Sequence, residues 1–366
     1  MGGAFLAVSD DSSGTYYNPA GIAFASGDSM SGSSNTFHIT EIAYKGVVGS
    51  YDLTRSSATL LPNYFAMLRR MGPFTFGFSY VVPDTDIEHQ NQIFSNLDSD
   101  TETYLLSYHL AETTTLMGPS VAYQLNDKLA AGLTLYYFAH DSRAQGNQYL
   151  KGRNSSTESM RTLASDYIDE VDQFSGVMPK FGIVYSPIEP VSIGATVSRV
   201  FLLKSSARGV TTQYSDTTKE TTFTEFNNSS PVLNTPWQAS VGIAYFPSPF
   251  FLFACDLDYF RPTNSQRISV FNISAGGEWF LDDSNAVRCG FFTNNSSAPK
   301  PSANTFNVSK VDMLGFSAGY SVYSQASNIT AGFIYSSGTG QVQVVRDIFD
   351  MTQYSLTFVL AASYGL

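Results

Sequence analysis

The chain has 366 residues and a formal net charge of −11, which excludes nucleic acid as a partner because phosphate binding requires clustered Lys and Arg. Charged residues make up 14%, against roughly 25% in an average soluble domain, while 28 Phe and 22 Tyr suit a wall that meets something other than water. The interleaving behind a mean hydropathy of −0.07 leaves no run approaching the ~18 apolar residues of a membrane-spanning helix.

The first thirty-five residues contain "DDSSGTYYNPAGIAFASG", Asp10 to Gly27, a small-residue stretch without sustained alternation. The opening Met1-Gly2-Gly3-Ala4-Phe5-Leu6 lacks the basic-then-apolar pattern of a secretory leader, as expected if a leader has been removed. Beyond residue 35 a two-residue period takes over. Phe74, Phe76, Phe78, Tyr80 and Val82 alternate with Thr75, Gly77 and Ser79. Leu129, Ala131, Leu133, Leu135 and Tyr137 oppose Thr134, Tyr136 and His140. Further along, Trp237 to Tyr245, Phe251 to Tyr259 and Phe271 to Trp279 each set bulky residues on one face and small or acidic ones on the other. Tyr354, Leu356, Phe358, Leu360, Ala362 and Tyr364 carry the pattern to Leu366, where an aromatic would be the usual ending. Each run predicts a strand with two unlike environments.

Alternation fits a soluble sandwich, with its apolar face inside, as well as a membrane barrel, with that face outside. The links separate the two. Short turns are predicted at Arg70–Pro73, Asn126–Lys128, Ser186–Pro190, Phe246–Pro249, Asp282–Asn285 and Ser324–Asn328. Longer polar links are predicted at Lys45–Thr59, Pro83–Thr103, Asp141–Asp172, Lys204–Asn234, Arg261–Arg267, Asn294–Asn307 and Gly338–Met351. Short turns on one rim and long links on the other imply about fourteen antiparallel strands closed into a transmembrane β-barrel. Closure is required because lipid cannot satisfy an open strand edge. Arg199 falls on the nominal outer face, so a place near the outer rim or after a bulge is expected.

Such a wall encloses a lumen too wide for its own side chains to fill. Residues 1–35 are expected to occupy it, with 36–366 as the barrel. Inward-facing Lys180 and Arg288 are candidates either to anchor a ligand carboxylate or to neutralise Asp256, Asp258 and Glu278. Tyr136, Phe138 and His140 are the other lumen candidates. The four histidines show no metal-site spacing, and no nucleophile elbow or phosphate-binding glycine loop is present, so no cofactor, metal or catalysis is expected. Cys255 and Cys289 read as outward, two strands apart, and are expected as free thiols.

Three stretches, "DDSSGTYYNPAG", "RRMGPFTFGFSYVVP" and "NTPWQASVGIAYFPSP" followed by "FFLFACDLDY", make the sequence similar to the outer-membrane long-chain fatty-acid transporters of the FadL and TodX type. With the strand count, the resemblance extends over most of the chain. It implies an N-terminal hatch with Asn18, Pro19 and Ala20 as its matching element. It also implies a kinked third strand, Phe74 to Val82 ending at Pro83, through which a hydrophobic ligand leaves sideways. Pro83 has no N–H to donate, which suits a point where pairing stops, although it equally suits a strand end. The implied protein is a monomer of the bacterial outer membrane that passes fatty acids or hydrocarbons inward, with that ligand (or detergent) and membrane lipid as its partners. The competing reading is a barrel that serves as scaffold or shuttle for secreted proteins.

Overall fold

The computed structural model describes residues 1–49, 51–97, 101–153, 160–228, 233–264, 266–302, 305, 308–344 and 347–366. Its strands are β1 (Ser29–Val48), β2 (Tyr51–Met71), β3 (Phe74–Ser95), β4 (Thr101–Asn126), β5 (Leu129–Arg153), β6 (Met160–Ile188), β7 (Val191–Ser198) and β8 (Phe201–Ser215). They continue with β9 (Glu220–Asn228), β10 (Trp237–Ser248), β11 (Phe251–Arg261), β12 (Val270–Asp282), β13 (Asn285–Asn294), β14 (Ser309–Tyr323), β15 (Ser327–Val344) and β16 (Asp347–Gly365). One short helix, α1 (Gly14–Tyr17), and a 3₁₀ turn over Gly21–Phe24 precede them.

Antiparallel ladders run in chain order from β1 to β6 and from β10 to β16, and β16 pairs back with β1. The circuit closes through β6, which serves two partners. Its turn-side half pairs with β7, and β7 pairs with β10. Its outer half pairs with β8, and β8 pairs with β9. Each of β7/β8 and β9/β10 is thus one wall strand interrupted once, and the wall is a closed barrel of fourteen strands. Arg199 lies at the β7/β8 interruption, its guanidinium 5.3 Å from the ring centres of both Phe201 and Trp237. That cation–π stacking, rather than bare lipid, surrounds the charge.

The alternation resolves in favour of an outward apolar face. Phe74, Phe76, Phe78 and Tyr80 are 37 to 44% exposed, whereas Thr75 and Ser79 between them are 1% or less. In a soluble sandwich these values would be reversed. Cys255 and Cys289 are both exposed and free. No described helix is long and apolar enough to cross a membrane.

The predicted short turns join consecutive strands, and at one of them Gly72 takes φ +62°, the left-handed conformation a tight hairpin demands. The opposite links differ from expectation. Much of Lys45–Thr59, Pro83–Thr103, Asp141–Asp172 and Lys204–Asn234 is strand, because the ladders continue past the apolar band as polar hairpins. Thr, Ser and Gln on both faces hide the two-residue period there. Residues 50, 98–100, 154–159, 229–232, 265, 303–304, 306–307 and 345–346 of the predicted links lie outside the described residues. Wall pairing also begins earlier than the boundary drawn at residue 35, with Ser29 opposite Gly365 and Leu68. Ser31, Gly32, Ser33 and Ser34 carry no bulky outward residue, so their strand character is silent in the sequence.

Candidate functional site

Residues 1–28 pack inside the barrel, and the wall is built to receive them. Three directly opposed glycine pairs, Gly132 with Gly182, Gly194 with Gly242 and Gly276 with Gly290, lie on neighbouring strands. A methyl group on Gly132 would collide with the Pro19 backbone, and one on Gly182 with the Asn18 side chain. Leu6 lies on the second pair and Met1 on the third. Side chains are absent where the inner segment touches the wall most closely, because only glycine permits that approach.

Polar contacts fix the segment on this bed. The backbone N–H groups of Phe5 and Leu6 both donate to Asp256 Oδ2, at 2.7 and 2.9 Å. Asn18, fully buried, donates from Nδ2 to the carbonyls of Leu6 (2.9 Å) and Ile183 (3.1 Å), and its Oδ1 accepts from the N–H of Ala20 (3.1 Å). Pro19 is buried and Ala20 packs with Ile22, Leu68, Ala122 and Val184. The Thr15 carbonyl accepts from Thr134 Oγ1 (2.9 Å) and Tyr136 Oη (3.0 Å), and the Tyr16 carbonyl accepts from Lys180 Nζ (2.6 Å). These contacts anchor the segment to β5, β6 and β11, and a buried partner left alone would cost about 1 to 3 kcal/mol.

The lumen candidates therefore divide. Tyr136 and Lys180 hold the segment. Phe138 packs with Val81, Leu116, Tyr136 and Phe174 and lines a cavity of about 440 Å³ on the outer side of the segment. His140 shares a hydrogen bond with Thr114 Oγ1 (2.9 Å), lies 3.6 Å from Glu112 Oε1, and is not among that cavity's lining residues. Arg288 donates from Nε to Glu278 Oε1 (2.8 Å) and from Nη2 to Tyr323 Oη (2.6 Å), far from Lys180 on the opposite run of strands. Lys180 and Arg288 are the cations that line these three cavities, and both are engaged by the protein itself. Asp10 is solvent-accessible on a turn-side cavity of about 1030 Å³, and the surrounding desolvation, then Asp11, raise its carboxyl to about 6.

The wall is interrupted beside this chamber. The β2–β3 ladder runs from Met71↔Phe74 to Tyr64↔Val81, beyond which Ser57↔Glu88 is the one further pair among the described residues, leaving residues 58–63 and 82–87 without partners across the seam. On the other side of β3, Val82 and Pro83 together face Thr115, a bulge between Val81↔Leu116 and Asp84↔Thr114. The missing N–H of Pro83 explains why the extra residue falls there. β1 and β2 also slip register, at Ser33/Ser34 and at Asn35/His38. A cavity of about 400 Å³ lies behind the seam, lined by Asn63, Tyr64, Val81, Val82 and Pro83 on the wall and by Tyr16 and Tyr17 on the segment. Tyr16, Tyr17 and Pro83 also line the 440 Å³ cavity, so the two chambers adjoin at these residues. The sequence reading missed the glycine bed and Asp256 as a backbone anchor. Glycines recurring on the inward register of neighbouring strands were the available signal.

A closed fourteen-stranded antiparallel barrel, its inward glycines in contact with residues 1–28, is the architecture these elements define. No family model and no curated protein matches the sequence. Solved structures do match. A Pseudomonas aeruginosa FadL homologue superimposes with a TM-score of 0.67 at 13% identity, covering 99% of this chain and 95% of that one. The Pseudomonas putida toluene transporter TodX gives 0.67 at 13% identity, covering 97% and 94%. The Ralstonia pickettii toluene transporter TbuX gives 0.63 at 14% identity, covering 100% and 96%. The chain has the fold of the FadL/TodX-type barrels over essentially its whole length.

Proposed function

We propose that this protein sits in a bacterial outer membrane as a monomer and passes hydrophobic small molecules inward without energy input of its own. The observation that carries the reading is the interrupted β2–β3 ladder with a lumen cavity directly behind it. The structural neighbours described as toluene transporters support the class of cargo. In this reading residues 1–28 are a hatch, locked by Asn18, Pro19 and Ala20, that denies a straight path to the turn-side rim. Cargo enters the chamber lined by Leu116, Phe138 and Met178, passes Tyr16, Tyr17 and Pro83, and leaves sideways at Val82.

Energetics favour that exit. Each CH₂ gains about 0.8 kcal/mol on leaving water, so release into an aqueous compartment is opposed and release into the bilayer is not. Charge narrows the cargo further. A ligand carboxylate would have to displace the Tyr16 carbonyl from Lys180 while facing Asp256 and Asp258, which line the same cavity. Uncharged hydrocarbons meet no such conflict and are the preferred cargo over fatty acids. The lapse in the wall beside these chambers serves no purpose in a scaffold for secreted proteins, which favours transport.

Uptake of a radiolabelled monoaromatic hydrocarbon and of a long-chain fatty acid by cells producing the protein tests the proposal. Uptake of the hydrocarbon above the empty-cell level supports it; uptake of neither contradicts it.

A further inference from the structure

His89 and His109 are remote in sequence, but β3 and β4 pair them directly across the ladder, with ring centres 4.0 Å apart. They stand on the face opposite Glu88, whose carboxylate turns inward to Arg55 and is buried. A membrane strand needs about 9 to 11 residues to cross, so counted from Phe74 the pair lies on the outer extension of the hairpin, beyond the seam. Along the same cross-strand row, Gln145 is opposite His109 and Asp169 is opposite Gln145. The neighbouring Arg143 is paired with Asp169 at 3.2 Å.

As packing alone this arrangement gains little. His89 is exposed, so its ring excludes no extensive apolar surface, and two protonated imidazoles directly opposed would repel. A shared cation reverses that balance. Imidazole nitrogens are borderline donors suited to zinc, nickel and copper, and they bind such ions at about 2.0 to 2.1 Å. Two rings held side by side on adjacent strands need only side-chain rotation to turn a nitrogen each toward one ion, without ordering any further chain.

From this juxtaposition we infer that His89 and His109 form an exchangeable divalent transition-metal site on the outer β3–β4 hairpin, with water completing the coordination. Two protein ligands make it a weak site that samples the external medium.

Isothermal titration of the tag-free, detergent-solubilised full chain with zinc chloride and with nickel chloride tests it. One saturable site at submillimolar concentration is expected, weakened about tenfold or more by His89→Asn and by His109→Asn. Unchanged mobility of the unboiled protein on gels verifies the barrel in each variant. Copper(II) electron paramagnetic resonance of the unaltered protein gives an independent readout, expected to show two coordinated imidazole nitrogens. Absence of saturation, unchanged binding in both variants, or a single coordinated imidazole in the unaltered protein would overturn the assignment.

Discussion

The strands β10 to β16 and the strands β1 to β3 are made of the same materials and behave differently. From β14 to β16 the ladders run without a missing partner, Ser309↔Val342 to Tyr323↔Asn328 and Ser327↔Tyr364 to Val344↔Asp347. Between β1 and β3 the register slips at Ser33 and Asn35, Pro83 sits in a bulge, and pairing across β2 and β3 lapses over residues 58–63 and 82–87. A barrel in lipid has no water to satisfy free backbone groups, so such a lapse persists only where the lumen and its contents supply solvation. In the proposed reading the regular half is wall and the irregular half is the port.

Closing the port should have the largest effect. In a Cys255→Ala/Cys289→Ala background, cysteines at Asn63 and Val82 joined by a short thiol crosslinker should abolish hydrocarbon uptake. The same crosslink between Val322 and Ile329, outward-facing partners in the intact β14–β15 ladder, should leave it unchanged. Uptake surviving the first crosslink would remove the distinction between the two halves.

Next comes the glycine bed. Gly182→Ala drives a methyl group into Asn18 and should destabilise the seated segment by about 1 to 3 kcal/mol through overpacking. Gly319 shares an inward register with Arg288 but faces no part of the segment, and its added methyl would meet only β15, no nearer than the Ala331 carbonyl at 3.4 Å. Gly319→Ala should therefore leave hydrogen exchange in residues 1–28 unaltered while Gly182→Ala accelerates it. Asn18→Ala should act in the same direction as Gly182→Ala, by about 1 to 3 kcal/mol for the unsatisfied Leu6 and Ile183 carbonyls, and should reduce uptake without preventing barrel assembly.

Lys180→Gln sharpens the comparison more gently. If Lys180 holds the Tyr16 carbonyl rather than a ligand, exchange of the segment should rise and the ratio of fatty-acid to hydrocarbon binding should not fall. A selective loss of carboxylate binding would assign Lys180 to the cargo instead. The smallest expected effect is that of pH. Because the Asp10 carboxyl is raised to about 6 in the folded state, it holds its proton more tightly folded than unfolded. Seating of the segment should be firmest below the ordinary carboxylate range and should weaken as pH rises through about 6. Exchange protection corrected for intrinsic rates reads this out, and Asp10→Asn should lessen the pH dependence.

The regular half was the legible half. In β10, β11 and β12 nothing interrupts the alternation of Trp237 to Tyr245, Phe251 to Tyr259 and Phe271 to Trp279, so face and turn follow from sequence alone. The outer hairpins were not legible, because polar residues on both faces leave no period to read. Ser31 to Ser34 were read as part of the inner segment for the same reason. At the site, Val82 and Pro83 drew notice through a family resemblance and the chemistry of proline. The role of Lys180 was ambiguous because a cation's partner, here a carbonyl many residues away, is set by tertiary packing. The histidine pair was invisible because its register depends on the bulge at Val82 and Pro83, which shifts every later partner on β4 by one.

The central claim is that the apolar stripe faces hydrocarbon, and the chain's two tryptophans report on it. Trp237 and Trp279 both point outward, 43% and 51% exposed, the first toward the outer rim and the second near the short turns. Tryptophan fluorescence of the refolded barrel in vesicles of brominated phospholipid should be strongly quenched, with the two residues, separated by Trp237→Phe and Trp279→Phe, responding to bromine near opposite faces of the bilayer. Unquenched emission, from a chain that stays monodisperse in buffer without detergent, would contradict the account.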